Sequence, residues 1–277
     1  MFSYRKIASV VACLGLTAGC ARAADMLDSS PASYKDAPGN YWIVTLGGYG
    51  GAAPVFPGSS NYSFAFRPII DIYHAGTREW LTLPTDAFSF TLYQTPNFRA
   101  GLAGDFLWNR NRSDDNSALH GLHNIDYTLE GGVFAEYYPA PFLRTRVELL
   151  QGVTGADGFV ANLMADYIFH LDQRWEFTAG PRLQFADTQY VSTFYSISGS
   201  ESVLSGLPPF HASGGLNSAG VDATARYDVN ENLSVRAFAD WQRLAGDAAD
   251  SPLVRFKGSA DQFQFGIGAA YRFAYQP

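Results

Sequence analysis

One histidine–serine pair is the nearest approach to a catalytic motif in this 277-residue chain. His211 and Ser213 could supply the base and the nucleophile of a hydrolase if a carboxylate oriented the histidine. No residue near them in the sequence fills that role, and both fall in a segment rich in Gly and Pro. The polarity of a loop accounts for the pair without catalysis, so we predict that the protein is not an enzyme.

A second group of polar residues could bind a metal ion. Two histidines lie among three aspartates: His120 and His123 with Asp114, Asp115 and Asp126. The H-x-x-H spacing is a weak signal without further ligands at defined positions. Solvated loop residues of mixed polarity are a commoner explanation of such a group than a metal site, and we predict neither a metal nor a cofactor.

The composition indicates which elements must position these side chains. Apolar residues make up 47% of the chain, aromatic residues 15% and charged residues 16%, with 27 glycines. Aromatic residues favour strands, and glycines mark turns and close backbone approaches. The net charge of −7 argues against a nucleic-acid-binding protein, which would carry clustered basic residues. We therefore expect an all-β protein.

The N-terminal segment has the features of an export signal. Arg5 and Lys6 precede an apolar stretch over residues 7–18, and an A-x-A cleavage site ends at Ala23. We predict a signal peptide over residues 1–23, cleaved between Ala23 and Ala24. The apolar stretch is shorter than the roughly 20 residues that a transmembrane anchor needs.

Lipidation is an alternative to this cleavage. The sequence Thr17-Ala18-Gly19-Cys20 resembles a lipobox with an atypical first residue. Both cysteines, Cys13 and Cys20, lie within the predicted signal, so cleavage after Ala23 would leave a mature chain without thiols. Residues 24–39 are rich in Asp, Ser and Pro and predict a flexible periplasmic leader.

Beyond residue 40 the chain alternates between apolar and polar residues. Phe263, Phe265, Ile267, Ala269 and Tyr271 alternate with polar or small residues, and this period of two defines a strand with two different faces. Similar segments predict twelve strands, near residues 41–50, 62–73, 78–83, 86–94, 98–108, 125–138, 142–150, 158–170, 175–190, 217–228, 232–243 and 262–273.

The lengths of the connections favour a membrane barrel over a soluble β-sandwich. Short links such as residues 95–97 and 171–174 alternate with long ones such as 109–124 and 194–216. Short turns at one end and long loops at the other are typical of outer-membrane barrels, which also have an even number of strands. We predict a transmembrane antiparallel up-and-down β-barrel over residues 40–277, with about twelve strands, ten being the alternative.

Charged residues occupy the strand face opposite to the apolar one, and this face would line the lumen. We predict a ladder of lumen charges with both signs: Glu130, Glu136, Arg144, Arg146, Glu148, Asp166, Glu176 and Arg182. A simple hairpin about residues 139–141 would place Arg144 near Glu136. The ladder would brace or narrow the barrel, whereas an ordinary polar pore wall in contact with water is the alternative.

Several segments resemble the MipA/OmpV family of Gram-negative outer-membrane proteins. The most specific is RLAGDAADSPLV at residues 243–254, followed by the closing strand that ends at Phe273. SGLPPF at residues 205–210 and PGS at residues 57–59 support the resemblance.

The resemblance implies a non-enzymatic outer-membrane barrel that scaffolds peptidoglycan enzymes. The partners that it implies are a lytic murein transglycosylase and a bifunctional penicillin-binding protein, besides outer-membrane lipid and lipopolysaccharide. A narrow solute channel is the alternative function. Both functions place the exported protein in the cell outer membrane of a Gram-negative bacterium.

Overall fold

A computed structural model describes residues 41–76 and 78–276. The predicted signal peptide, its cleavage site at Ala23 and Ala24, Cys20 and the predicted leader lie outside the described residues.

Eleven strands form one closed barrel within the described residues. Their bounds are β1 (Trp42–Pro54), β2 (Tyr62–His74), β3 (Phe88–Gln94), β4 (Phe98–Leu107), β5 (Thr128–Ala140), β6 (Leu143–Gly152), β7 (Gly158–His170), β8 (Trp175–Ala186), β9 (Gly215–Asp228), β10 (Leu233–Leu244) and β11 (Asp261–Tyr275). Strands that follow one another in the sequence are neighbours in the wall, and β11 closes the barrel against β1. The predicted all-β barrel is confirmed, although its strand number is odd instead of even.

The alternation of the strands places apolar side chains outside the barrel and charged side chains inside it. On β5, Val133 is 48% exposed, whereas Glu136 on the opposite face is fully buried. Phe265 and Ile267 of β11 are exposed in the same way. An apolar exterior around a polar interior is stable in hydrocarbon and is the arrangement of transmembrane barrels.

Helices contribute little to the wall of the barrel. None of the helices in the described residues is long and apolar enough to cross a bilayer.

β2 and β3 run parallel, unlike the other neighbouring strands in the described barrel. They share two Cα pairs, Asp71 with Ser89 and Ile72 with Phe90. Two strands can follow one another in parallel only if the chain returns between them. Here it returns inside the barrel through residues 78–87, which we call the interior segment, and most of its side chains are buried.

The prediction of a strand over residues 78–83 is therefore wrong. Alternation in the wall would turn one of two adjacent charged residues, Arg78 or Glu79, towards lipid. Inside the barrel, Trp80 is fully buried and packs edge-on against Tyr138 at 5.6 Å between ring centroids. The interior segment replaces the missing strand of an even-numbered barrel, so β1 begins and β11 ends at the same rim.

The two rims of the barrel differ in their connections. Tight turns at residues 95–97, 141–142, 171–174 and 229–232 join strands at the short-turn rim. In one of them the Asp172 carboxylate accepts hydrogen bonds from the backbone N–H groups of Arg174 (2.7 Å) and Trp175 (2.8 Å). Such a side-chain contact fixes the turn locally.

Long loops and, among the residues that the structure describes, four short helices cover the opposite rim. The helices are α1 (Thr188–Tyr195), α2 (Gly199–Ser205), α3 (Gly246–Asp250) and α4 (Pro252–Lys257). The predicted strand 175–190 is too long, because Asp187 accepts a hydrogen bond from the Tyr190 N–H and caps α1 (2.8 Å). Buried residues of α1, α3 and α4 form an apolar cluster over this rim.

Candidate functional site

The middle of the lumen holds a buried network of ion pairs centred on Glu136. The Glu136 carboxylate accepts hydrogen bonds from Arg99 Nε (3.1 Å), Arg144 Nη2 (2.9 Å) and Arg146 Nη1 (3.1 Å). None of these four side chains is more than 1% exposed. Charge-assisted hydrogen bonds of this kind are stronger than neutral ones and fix the side chains in direction.

Strand register brings these residues together. Arg99 of β4 and Arg146 of β6 are the two Cα partners of Glu136 on β5. The turn lies at residues 141–142 instead of 139–141, so Arg146 and not Arg144 stands opposite Glu136. The Arg144 guanidinium still reaches Glu136 diagonally, because the arginine side chain is long.

The network continues around the wall from Arg144. Its Nη1 lies 2.7 Å from Asp166 of β7, and Asp166 in turn accepts a bond from Arg182 Nη2 at 2.7 Å. Arg182 also contacts Asp222 of β9 at 3.2 Å. Opposite charges thus alternate across adjacent strands, which compensates for the loss of hydration inside the barrel.

The interior segment is bonded into the same network. Arg144 Nη2 lies 2.7 Å from the Asp86 carboxylate, and the Ala87 N–H donates to Glu148 Oε1 at 2.8 Å. Arg99 Nη2 donates to the Leu81 carbonyl at 3.1 Å. The segment therefore fills the lumen at the height of Glu136, where the wall side chains have almost no contact with water.

A second layer of charges lies nearer the short-turn rim. Glu79 of the interior segment accepts hydrogen bonds from Arg226 of β9 and Arg272 of β11. Glu176 belongs to this layer, with its carboxylate 3.8 Å from Arg226 and 3.1 Å from His170. The layer ties the entrance of the interior segment to two strands of the wall, β9 and β11.

The eight residues of the predicted ladder thus occupy three environments. Six of them form one connected network: Glu136, Arg144, Arg146, Glu148, Asp166 and Arg182. Glu176 lies in the second layer, and Glu130 lies on the far side of the network, where it is buried without an ion-pair partner among the described residues.

Sequence reasoning missed most of the partners of this ladder. Asp71 of β2 and Arg99 of β4 face the lumen, and Arg99 Nη1 lies 2.9 Å from Asp71 Oδ1. Alternation along these two strands could have identified them, because each follows the same period of two as the ladder residues. Alternation could not identify Glu79 and Asp86, because the interior segment is not a strand of the wall.

The predicted catalytic and metal-binding candidates lie in the long loops. His211 and Ser213 lie between α2 and β9, where the Ser213 N–H donates to Asp247 Oδ2 at 2.7 Å. A cavity of about 230 Å³ adjoins this contact, between α1 and the start of β9. Within the described residues, no group of three or more His, Cys, Asp or Glu side chains is placed to hold a metal ion.

His123 takes part in a contact between two loops. Its backbone N–H and its ring Nδ1 lie 2.9 Å and 2.6 Å from Glu201 Oε1. Ser198 donates to the other carboxylate oxygen and completes a capping box at the start of α2. Burial of Glu201 opposes its ionisation, but the hydrogen bonds from Ser198 and His123 outweigh burial and lower its pKa to about 2.

This contact predicts a pH dependence of the outer loops. The pKa of Glu201 is lower in the folded state than its ordinary value of 4.5. The ionised carboxylate therefore stabilises the folded loops fully above pH 4.5, and this stabilisation is lost as the pH falls towards 2. We expect amide exchange in residues 198–207, corrected for intrinsic rates, to speed up roughly fivefold over this range, the size of a lost helix cap. The Glu201→Gln variant should exchange faster above pH 4.5 and lack most of this pH dependence; an unchanged pH profile would contradict the assignment.

Comparison with known proteins places the chain in a family. The family model described as MltA-interacting protein MipA matches residues 46–273. The chain is 28% identical over 163 residues to "Putative outer membrane protein YiaT" of Escherichia coli strain K12, a match that covers 58% of this chain and 63% of that protein. The match therefore spans less than two thirds of the relative's length.

Solved barrels resemble the chain more distantly. A structure of the NanC porin gives a TM-score of 0.38 at 8% identity and covers 83% of this chain and 98% of its own. The N-terminal β-barrel domain of Pseudomonas aeruginosa OprF gives a TM-score of 0.29 at 14% identity, and the match covers 64% of this chain and 98% of that domain. The family match, by contrast, begins within β1 and ends within β11, and the chain belongs to the MltA-interacting protein MipA family.

Proposed function

We propose that this outer-membrane barrel is a non-conducting scaffold for enzymes that cleave and build murein. The observation that carries the proposal is the filled lumen: Arg99, Glu136 and Arg144 are at most 1% exposed, and the interior segment is bonded to them. A wall braced in this way suits a rigid support better than a channel. The family description gives an MltA-interacting protein, and MltA is therefore the first partner to test.

The short-turn rim is the part that such partners would contact. In outer-membrane barrels the short turns face the periplasm, where the cell wall lies. Leu171 is 63% exposed and Val229 is 43% exposed in two of these turns. Exposed apolar residues beside the charged Asp172 and Arg174 provide the mixed surface that protein interfaces use.

The predicted export signal and leader belong to the same proposal. Cleavage between Ala23 and Ala24 would leave residues 24–39 ahead of β1, which starts at the short-turn rim. A leader at this position would extend into the periplasm and add to the surface offered to a lytic transglycosylase and a penicillin-binding protein. The eight-residue charge ladder would have the structural task of keeping the barrel rigid.

A binding experiment tests the scaffold directly. Proteoliposomes that contain the barrel are mixed with purified MltA, and bound MltA is measured after sedimentation. Replacing residues 171–174 by a two-residue Asn-Gly turn should weaken binding by roughly tenfold or more if Leu171 is a main contact. A matched variant with an outer-rim change, in which residues 198–205 become a Gly-Ser linker, should bind normally.

The outcome separates the proposal from its alternatives. Binding that is unaffected when each short turn is replaced in turn, or that depends on residues 198–205 instead, would contradict a periplasmic scaffold. Ion conductance through the native barrel in planar bilayers would favour the solute channel.

A further inference from the structure

The wall of the barrel has a notch beside β3. β3 begins only at Phe88, so residues 105–107 of β4 extend beyond it. On the other flank, β2 pairs with β3 only at Asp71 and Ile72. Within the described residues, residues 62–70 of β2 have no strand partner on this side. The notch is therefore about one strand wide and lies in the half of the barrel nearer the long loops.

The aromatic side chains of β2 do not fill the notch. A Cβ atom added at Gly48 of β1 would lie 2.6 Å from the Phe66 ring, and one at Gly50 would lie 3.1 Å from the Phe64 ring. Both rings therefore cover β1, which is on the opposite side of β2 from the notch. Neither ring therefore covers the backbone edge of β2 that faces the notch.

Two side-chain contacts cross the notch in the described structure. Trp108 Nε1 donates to the Phe66 carbonyl at 3.2 Å, and Arg67 Nη2 lies 2.7 Å from Asp105 Oδ2. Trp108 is 61% exposed, and the Arg67 side chain is 32% exposed. Pro68, which lacks an N–H group, is tolerated here because this flank of β2 has no ladder. The notch is thus bridged by side chains where the rest of the wall is closed by backbone pairing.

A carboxyl group without a partner lies directly behind this bridge. Glu130 of β5 is the Cα partner of Asp105, and both face the lumen. Glu130 is 7% exposed, and its Oε1 atom has no hydrogen-bond partner among the described residues. Glu136 on the same strand, by contrast, contacts three arginines. A buried carboxylate without a donor is costly, and a bound cation would remove that cost.

We propose that the notch binds a cationic amphiphile, with its alkyl chain along the open edge of β2 and its ammonium group on Glu130 Oε1. The local groups favour this class of ligand, because Asp105 is already paired with the guanidinium of Arg67, whereas its Cα partner Glu130 has no cation of its own. A bound ammonium group can donate to Glu130 Oε1 and stabilise the ionised form of this carboxyl group. An anionic amphiphile would meet the unpaired Glu130, and a neutral one would leave it without a partner.

Quenching of tryptophan fluorescence tests the proposal on the purified barrel in dodecyl maltoside. The probe is 12-bromododecylammonium, whose bromine quenches nearby indoles, and the neutral comparison is 12-bromododecanol. We expect the ammonium probe to quench at a concentration about tenfold or more below that of the alcohol, since its head gains a charge-assisted hydrogen bond. Trp108→Phe should remove most of the saturable quenching, because Trp108 borders the notch.

Variants of the carboxyl group decide whether Glu130 is the site. Glu130→Gln should abolish the preference for the ammonium probe, whereas Glu231→Gln, in an exposed turn at the other rim, should preserve it. The barrel should fold in both variants, as judged by heat-modifiable gel mobility, because Glu130 has no partner to lose. On the native barrel, unbrominated dodecylammonium should displace the probe and dodecanol should not. Equal quenching by the two probes, or a preference that survives Glu130→Gln, would overturn the proposal.

Discussion

Replacing Arg144 with Met should lower the free energy of unfolding by about 3–5 kcal/mol, the cost of removing one partner from a buried ion pair. Arg144 contacts the carboxylates of Glu136, Asp86 and Asp166 at 2.7–2.9 Å, and all four side chains are at most 1% exposed. Methionine replaces the aliphatic part of the arginine side chain but has no group that donates a hydrogen bond. Three buried carboxylates would then share fewer positive charges in a site that water does not reach.

Urea unfolding in detergent, followed by heat-modifiable gel mobility, measures this effect. The matched control is Arg243→Met, because Arg243 forms an exposed pair with Asp261 in which the side chains are 58% and 39% exposed. Exposed pairs contribute at most about 1 kcal/mol, so this variant should unfold close to the native midpoint. Adding Asp86→Asn to Arg144→Met should recover part of the loss by removing one excess carboxylate. Equal midpoints for the two arginine variants would contradict the role given to the central network.

Removing the interior segment should open the part of the lumen nearer the short-turn rim to water. Thr178 faces the lumen on β8 and is 4% exposed, so a cysteine placed there should react slowly with a charged methanethiosulfonate reagent. If residues 79–86 are replaced by a Gly-Ser linker of equal length, we expect the reaction to speed up by at least about a hundredfold, as labelling rates follow the accessible population. The loss of Glu79 leaves Arg226 and Arg272 without this carboxylate, so an anionic reagent should react faster than a cationic one.

The same cysteine in other backgrounds provides the controls. A Gly-Ser linker in place of residues 198–205, in the outer cap, should leave the reaction slow, because that segment does not touch Thr178. Trp80→Ala, which removes the fully buried indole but no charge, should give an intermediate rate without a preference for the anionic reagent. Fast labelling in the native barrel, or a folded linker variant that remains unreactive, would show that the interior segment does not close the lumen.

Much of the wall could be predicted from residue patterns alone. The alternation that ends at Phe273 predicted β11, and similar patterns predicted ten of the other strands to within a few residues. The inward faces that alternation assigns include Glu136, Arg144 and Arg146, which are fully or almost fully buried in the lumen. A strand imposes this outcome locally, since successive side chains point to opposite faces whatever the rest of the chain does.

Each error has its own physical cause. Residues 78–83 have the length and the apolar content of a strand, and no local rule distinguishes a strand in the wall from an extended segment inside the barrel. The end of β8 at Ala186 was missed because Asp187 acts as a helix cap, a signal that the continuing run of β-forming residues concealed. The turn at residues 141–142, later in the chain than the predicted one, changed which arginine stands opposite Glu136.

The sequence by itself determined that this chain forms a two-faced sheet with an apolar exterior and a charged interior, because that division depends on a period of two and on neighbouring residues. The tertiary structure decided where the interior charges meet. Arg144 reaches Asp86 and Asp166 across 58 and 22 positions of sequence, and Glu79 reaches Arg272 across 193. Closure of the barrel fixes these contacts, since only a closed wall brings the first and last strands together around a segment that has left the sheet.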